Sequence, residues 1–441
     1  MPDKPKRKDL GNFLGPFHSG LAAHFRAGGS NYSTDEYDPL YAFAPGRLLK
    51  WIPHVMRYWF HKKHPYRDYT DGTHGDGIYK IENQTSLSIL GDWGTGTDEA
   101  HEVASQVLAA HPDYTVHLGD VYYVGDATEI RENFFGEKTS PYLPVAFPMG
   151  SKGSFALTGN HEMYARGSGY FNAILPRMGL RNGASTVSNM PGTASPSAEA
   201  APRESNRQNW GSGQWAGFFC LENESWRVIG IDTGYDSTAF DWGKMPVFQR
   251  SKLIRTSLRF KPKCLIPDAA LNWLRTTINP EADRRGLILL SHHGSHSAFS
   301  DWYRYPAMQL AQIIQRPVLW FWGHEHKVAI YGKFAPPEGI ESYGRCVGHS
   351  GMPVERGWDP DIPCNLLAWD NRLYKSDENI SAGINGHANL RFDGPTLHVD
   401  YVDLTGQVLF TEDWRVDLSS GALTGPNLKQ VINDPDVHIL R

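Results

Sequence analysis

Between residues 87 and 326, five short apolar runs each give way at once to side chains of the metal-binding type. "LSIL" (87–90) leads into "GDWG", bringing Asp92, and "YTVHL" (114–118) into "GDVYY", bringing Asp120 and two tyrosines, Tyr122 and Tyr123. "SFAL" (154–157) leads into "TGNHE", with Asn160 and His161. "LILL" (287–290) is followed by "SHHGSHS", with His292, His293 and His296, and "VLWFW" (318–322) by "GHEH", with His324 and His326. A lone Gly-Asp is usually a turn, and a lone histidine is usually a satisfied polar residue. Five such blocks in order, each ending a strand-like run, are hard to explain as turns. The carboxyl ends of strands in an α/β sheet line the ligand crevice, so groups distant in sequence can converge there. Residues i and i+2 of a strand share a face, so His324 and His326 can reach one site together. The adjacent glycines are expected to make the sharp turns that expose these side chains at the sheet edge.

The runs alternate with amphipathic stretches at 98–110 and 268–278, the second opening on Asp268 as a candidate N-cap. A sixth run, "WRVIGI" (226–231), fits the same alternation and ends at Asp232, read as a structural cap. The pattern predicts an α/β fold. It is interrupted at about 165–215 by a Gly-, Ser-, Ala- and Pro-rich insertion, readable as a lid or a loop. From about 385 to 415 the sequence reads as β-hairpins with Asp-Gly and Thr-Gly turns, and 416–441 as a tail. Residues 1–80 read as an extension to a domain spanning 81–415. Within it, 46–63 forms a basic amphipathic segment, expected to dock on its own domain, with peripheral membrane or partner contact as the alternative.

Composition removes several classes. The formal charge of −5, from 43 basic and 48 acidic residues, gives no indication of nucleic-acid binding. Four cysteines without CxxC spacing argue against a thiolate zinc site and a disulfide scaffold. No stretch of about 18 apolar residues is present, so no transmembrane segment is expected. The basic start lacks a following apolar core, so the expected location is cytoplasmic, with non-classical export left open. HExxH is absent, which excludes the common zinc peptidase arrangement.

A ligand set of carboxylate, imidazole, amide and phenol suits two hard or borderline ions. The order GD, GDxxY, GNHE, histidine after an apolar strand, then GHxH resembles the calcineurin-like metallophosphoesterases, and among them the purple acid phosphatase type. The resemblance spans roughly 84–350. It implies a two-sheet β core flanked by helices, a four-layer αββα fold, with the metals at strand carboxyl ends. It also implies that one metal takes Asp92, Tyr123 and His326 and the other Asn160, His292 and His324, with Asp120 bridging the two. GDxxY spacing selects Tyr123 over Tyr122. The fourth block lacks the family's proline, so His293 or His296 remains an alternative to His292. Catalytic roles fall to Asp120 and to His161 beside the leaving oxygen, and substrate contacts to His161, His293 and His296. Trp93 and His349 are expected near the mouth, and Glu162 and Glu325 outside the ligand shell or facing solvent. The ions implied are Fe(III) with Fe(II), Zn(II) or Mn(II). The activity implied is hydrolysis of a small phosphate ester by in-line attack of a bridging hydroxide. A monoesterase of the acid-phosphatase type is favoured. A diesterase acting on nucleotides or lipid headgroups and a recruited effector are the alternatives.

Overall fold

A computed structural model of the chain describes residues 58, 61–122, 124–137, 146–181, 213–237, 263–299, 303–354, 360, 364–377 and 380–440. In chain order the strands are β1 (Ile78–Lys80), β2 (Gln84–Leu90), β3 (Tyr114–His117), β4 (Gly153–Ala156), β5 (Gly179–Leu180), β6 (Phe219–Glu222) and β7 (Trp226–Gly230). They continue as β8 (Gly286–Ser291), β9 (Val318–Trp322), β10 (Val328–Phe334), β11 (Ser342–Val347), β12 (Leu366–Asp370), β13 (Lys375–Asp377) and β14 (Ile380–Ala382). The last are β15 (Gly386–Asp393), β16 (Thr396–Asp403), β17 (Val408–Asp417), β18 (Ala422–Thr424), β19 (Lys429–Gln430) and β20 (Val437–Ile439).

These strands form two large mixed sheets. One runs β1-β6-β7-β8-β9-β11-β10-β12-β20, the other β18-β17-β16-β15-β2-β3-β4-β5 with β19 on β17. All six apolar runs of the sequence are strands, and each site-bearing run is parallel to a neighbour: β2 to β3, β3 to β4, and β8 to β9. Their near-continuous apolar character follows from burial on both faces. Ile288 and Leu290 of β8, with Leu319 and Phe321 of β9, face Leu87, Ile89 and Val116 of the other sheet. The alternate residues Leu287, Leu289, Trp320 and Trp322 face Ala270, Leu271 and Leu274 of a helical layer. On the far side, the helix Asp98–Ala109 is capped by the Thr97 side chain and buries Ala100, Val103 and Val107 against Leu90 and Phe134. The layering is therefore helix, sheet, sheet, helix, as the fold class implied. No helix among the described residues is long and apolar enough to cross a membrane.

Some local expectations need correction. Asp268 is the first residue of the helix Asp268–Trp273 rather than its cap. Pro267 holds the cap position, and no side-chain capping bond forms. The C-terminal hairpins, read as part of the 81–415 domain, join the sheet of β2, with β15 antiparallel to it from Ala388↔Ile89 to Asp393↔Gln84. Segment 416–441 is stitched to both sheets, by β18 and β19 on β17 and by β20 on β12. Part of the 1–80 stretch is docked too. β1 pairs with β6, Lys63 binds Asp236 at 2.7 Å, and His64 stacks on Phe171. Segment 46–63 lies outside the described residues except for Tyr58 and 61–63, as does most of the 165–215 insertion, 182–212.

The two sheets are also joined by charge. Arg345 of β11 and Glu412 of β17 are fully buried and share a bidentate bond, Nε to Oε1 at 2.8 Å and Nη2 to Oε2 at 2.6 Å. Tyr401 Oη donates to Glu412, and Arg345 Nη1 donates to the Tyr331 and Gly344 carbonyls. Burial disfavours the guanidinium charge, but Glu412 outweighs it and raises the Arg345 pKa. Breaking one side of such a pair strands a buried charge. Arg345→Met should cost about 3–5 kcal/mol in denaturant unfolding, and the double replacement Arg345→Met/Glu412→Met should cost less than the single.

Candidate metal centre

The carboxyl ends of the two sheets meet, and each contributes half of a polar cluster. Asp92, Asp120 and Asn160 follow β2, β3 and β4, while His292, His324 and His326 follow β8 and β9. The backbone explains how they face inward. Asp92, Asp120 and His324 themselves adopt positive φ, at 59°, 70° and 67°. Asp and His tolerate this left-handed region better than most residues. Two of the neighbouring glycines do a further job beyond the turn expected of them. At Gly159 a Cβ would lie 1.9 Å from Asp120 Oδ1, and at Gly323 it would lie 2.7 Å from Asp92 Oδ2. Gly159 and Gly323 make room for the carboxylates, while Gly119, at a φ of 109°, makes the turn into Asp120. Nor are the carboxylates exposed: Asp92 and Asp120 are buried.

Asp120 is at the centre of the cluster. Its Oδ2 lies 3.3 Å from His292 Nε2 and 3.7 Å from His161 Nε2, and its Oδ1 accepts the His161 backbone N–H at 2.9 Å. Burial would raise its pKa, but His292 and His161 hold it well below the carboxylate range. His292 responds in kind. Burial disfavours its charge, yet Asp120 pushes it up to about 9. Its Nδ1 faces the Leu118 carbonyl at 3.1 Å, and its Nε2 faces Asn160 Oδ1 at 3.1 Å. On the other side of Asp120, the Tyr122 hydroxyl donates to Asp92 Oδ1 at 2.8 Å and lies 3.1 Å from His326 Nε2. It also reaches Asp120 Oδ2 at 3.3 Å. Tyr123, selected by the GDxxY spacing, lies outside the described residues. The phenol found among Asp92, Asp120 and His326 is that of Tyr122.

His324 completes the second half. Its backbone N–H donates to Asp92 Oδ2 at 2.7 Å, and its Nδ1 lies 3.3 Å from His292 Nε2. Burial and then the His292 charge lower its pKa to about 3, so the ring is neutral and keeps a lone pair. His293 packs its ring 4.5 Å from that of His324 and bonds Thr233 Oγ1 through Nδ1 at 3.2 Å. His296 does not join them. Its ring sits among Trp322, Tyr331 and Phe334 on the helical side of the sheet, with Nδ1 on Ser295. It shares the SHHGSHS stretch with His292 but lies five residues beyond the end of β8. Trp93 is likewise core, wholly buried against Phe134 and Phe147. His349 is buried as well, rather than at the mouth.

Metal-binding geometry is present without any imposed ion. Asp92, Asp120 and His292 offer ligand atoms within 4.8 Å of one another, and so do His292, His293 and His324. Hard carboxylates with neutral imidazoles, an amide oxygen and a phenol fit hard or borderline cations, and the chain's cysteines play no part.

Residues 86–328 match the family model of the calcineurin-like phosphoesterases. The chain belongs to that family. No curated protein matches it. Among solved structures, the chain resembles GAP50, described as the anchor in the inner membrane complex of Plasmodium, at 13% identity and a TM-score of 0.39 over 76% of this chain and 89% of that one. It also resembles PhoD, at 10% identity and 0.43 over 80% and 72%. A predicted phosphoesterase from Streptococcus pneumoniae matches at 9% identity and 0.27 over 76% and 99%.

Glu162, expected outside the ligand shell or facing solvent, is buried just behind the cluster. Wholly buried, it accepts the backbone N–H groups of Val121 at 2.6 Å, Gly159 at 2.7 Å and Asp120 at 3.2 Å, tying two ligand-bearing turns together. Burial and the Asp120 charge push its pKa up to about 8 against the pull of its N–H donors. Its place two residues after Asn160 was the available signal. Glu162→Ala should leave buried N–H groups unsatisfied, at about 1–3 kcal/mol each, with a correspondingly lower midpoint in denaturant unfolding.

Proposed function

We propose that the chain hydrolyses phosphate monoesters at a dinuclear centre of the purple acid phosphatase type. The observation that supports this most directly is the Asp120 carboxylate, within reach of His292 and His161 on one side and the Tyr122 phenol on the other. Asp92, Tyr122 and His326 would hold one ion, and Asn160, His292 and His324 the other, with Asp120 shared. Bound ions of this kind supply a clamp for phosphoryl oxygens and lower the pKa of water.

The remaining work falls to side chains. His161 is buried beside Asp120, between the rings of Tyr122 and Tyr164 at 4.4 and 4.9 Å. It can hold a proton at its imidazole and pass it to the leaving oxygen. His293 lies next to His324 and is suited to contact a phosphoryl oxygen. Burial first, and then the neighbouring His324 and His292 imidazoles, keep its pKa well below 6.5, so it would act as a neutral hydrogen-bonding group. A ferric ion on the phenol side, with Fe(II), Zn(II) or Mn(II) opposite, fits the harder oxygen donors there. The test is a comparison of p-nitrophenyl phosphate with bis-p-nitrophenyl phosphate across these metals. Turnover of the diester alone would replace the monoesterase reading with a diesterase, and turnover of neither would reject both.

Three variants probe the assignments. Asp120→Asn should lower occupancy at both sites in elemental analysis together with activity. Two ions per chain and normal turnover would refute the bridge. Tyr122→Phe should abolish a visible phenolate-to-iron absorption band, and survival of the band would move the ligand to another tyrosine. His161→Ala should retain both ions yet lose roughly 10²–10⁴ in kcat for an alkyl phosphate, and less for p-nitrophenyl phosphate, whose leaving group needs little protonation. An equal loss on both substrates would assign His161 to packing.

A further inference from the structure

The three side chains assigned to the second ion can each present a wrong face. An asparagine amide can rotate by 180° and offer its NH₂ in place of its oxygen, and a neutral histidine can carry its proton on either ring nitrogen. For His292 the Leu118 carbonyl resolves this, facing Nδ1 and leaving Nε2 toward the cluster. The other two are served by tyrosine hydroxyls from outside the cluster. Tyr164 Oη accepts from Asn160 Nδ2 at 2.8 Å, which aims Oδ1 at His292. Tyr303 Oη lies 2.9 Å from His324 Nε2, on the side of the ring away from the Nδ1 that faces His292. Tyr303 also packs edge-on against His293 and His324, with ring centroids at 4.8 and 5.2 Å.

We propose that Tyr164 and Tyr303 are positioning residues for one of the two ions, Tyr164 by fixing the Asn160 amide and Tyr303 by fixing the proton of His324 on Nε2. This rests on the dinuclear reading above. A histidine ligand usually donates its second N–H to an outer partner, and loss of that partner typically weakens the metal about 10–100-fold. The hydroxyl contacts named here are to Asn160 and His324, ligands assigned to the second ion, so the weakening should fall on that ion.

The experiment titrates Zn(II) against a competing chelator for the wild-type chain, Tyr164→Phe, Tyr303→Phe and the double variant, with elemental analysis after dialysis. Phenylalanine keeps the rings and their packing and removes only the hydroxyls. Each single variant should bind one Zn(II) about 10–100-fold more weakly and retain the other, with a thermal midpoint near that of wild type. Unchanged affinities, or both ions lost together, would overturn the proposal. A second measurement does not depend on metal. Long-range ¹H–¹⁵N correlation of ¹⁵N-histidine-labelled apoprotein should show His324 protonated at Nε2 in the wild type and a mixture of tautomers in Tyr303→Phe. An Nδ1-protonated His324 in the wild type overturns the proposal. Wild-type protein that binds no Zn(II) while showing the expected tautomer would instead reject the dinuclear reading.

Discussion

Three strand ends pass through left-handed backbone at residues of the polar cluster, Asp92, Asp120 and His324, and the cluster depends on how that conformation is held. A non-glycine residue there costs of order 1–3 kcal/mol and persists only where its surroundings over-determine it. Asp92 N–H is tied to the Gly119 carbonyl of the next strand end, and Asp120 N–H to Glu162. His324 N–H is tied to the Asp92 carboxylate of the opposite sheet. The last bond matters most, because a cluster residue from one sheet fixes the backbone of a cluster residue from the other. The cluster and the packing of the sheets therefore stand or fall together.

That packing is unusually well anchored close to the site. The inter-sheet layer is continuous from Leu87 and Ile89 through Phe321 to Tyr401 and Trp414, and the Arg345–Glu412 pair lies within it. An apolar layer alone permits small slippage between sheets, whereas a bidentate pair with further bonds to Tyr401 and the Tyr331 carbonyl accepts a single register. Precision at Asp120, where groups from both sheets lie within about 3–4 Å, draws on that register.

The sequence made the strands and most of the cluster legible for one reason: parallel strands buried on both faces write themselves as uninterrupted apolar runs, and polar residues directly after them stand out. Asp92, Asp120, Asn160, His292, His324 and His326 were all readable in this way, and the structure brings them together. His296 was not distinguishable from His292 or His293 by residue type, since only the path of the chain after β8 sends it to the far side of the sheet. GDxxY spacing points to Tyr123, which lies outside the described residues, whereas the phenol of its neighbour Tyr122 is seen among Asp92, Asp120 and His326. Glu162 was left open between a place behind the ligand shell and solvent, because its partners are backbone N–H groups, which leave no mark on sequence. The inclusion of β15 in the sheet of β2 was invisible for a different reason: hairpin patterning reports local pairing and says nothing of the strand a hairpin will lie beside.

The β2–β15 pairing has a consequence for biosynthesis. Ser88 and Asn389, hydrogen-bonded across it, are 301 residues apart in the chain. Ribosomes add roughly 5–20 residues per second, so the strand leading to Asp92 waits about 15–60 s before its neighbour has been made. During that interval β2 has β3 on one side and an open, apolar edge on the other, the kind of template on which chains associate wrongly. Late non-local pairing of this sort also slows folding. The nascent protein is thus a natural client for chaperones, and a chain released before residue 386 would lack the strand that closes this edge.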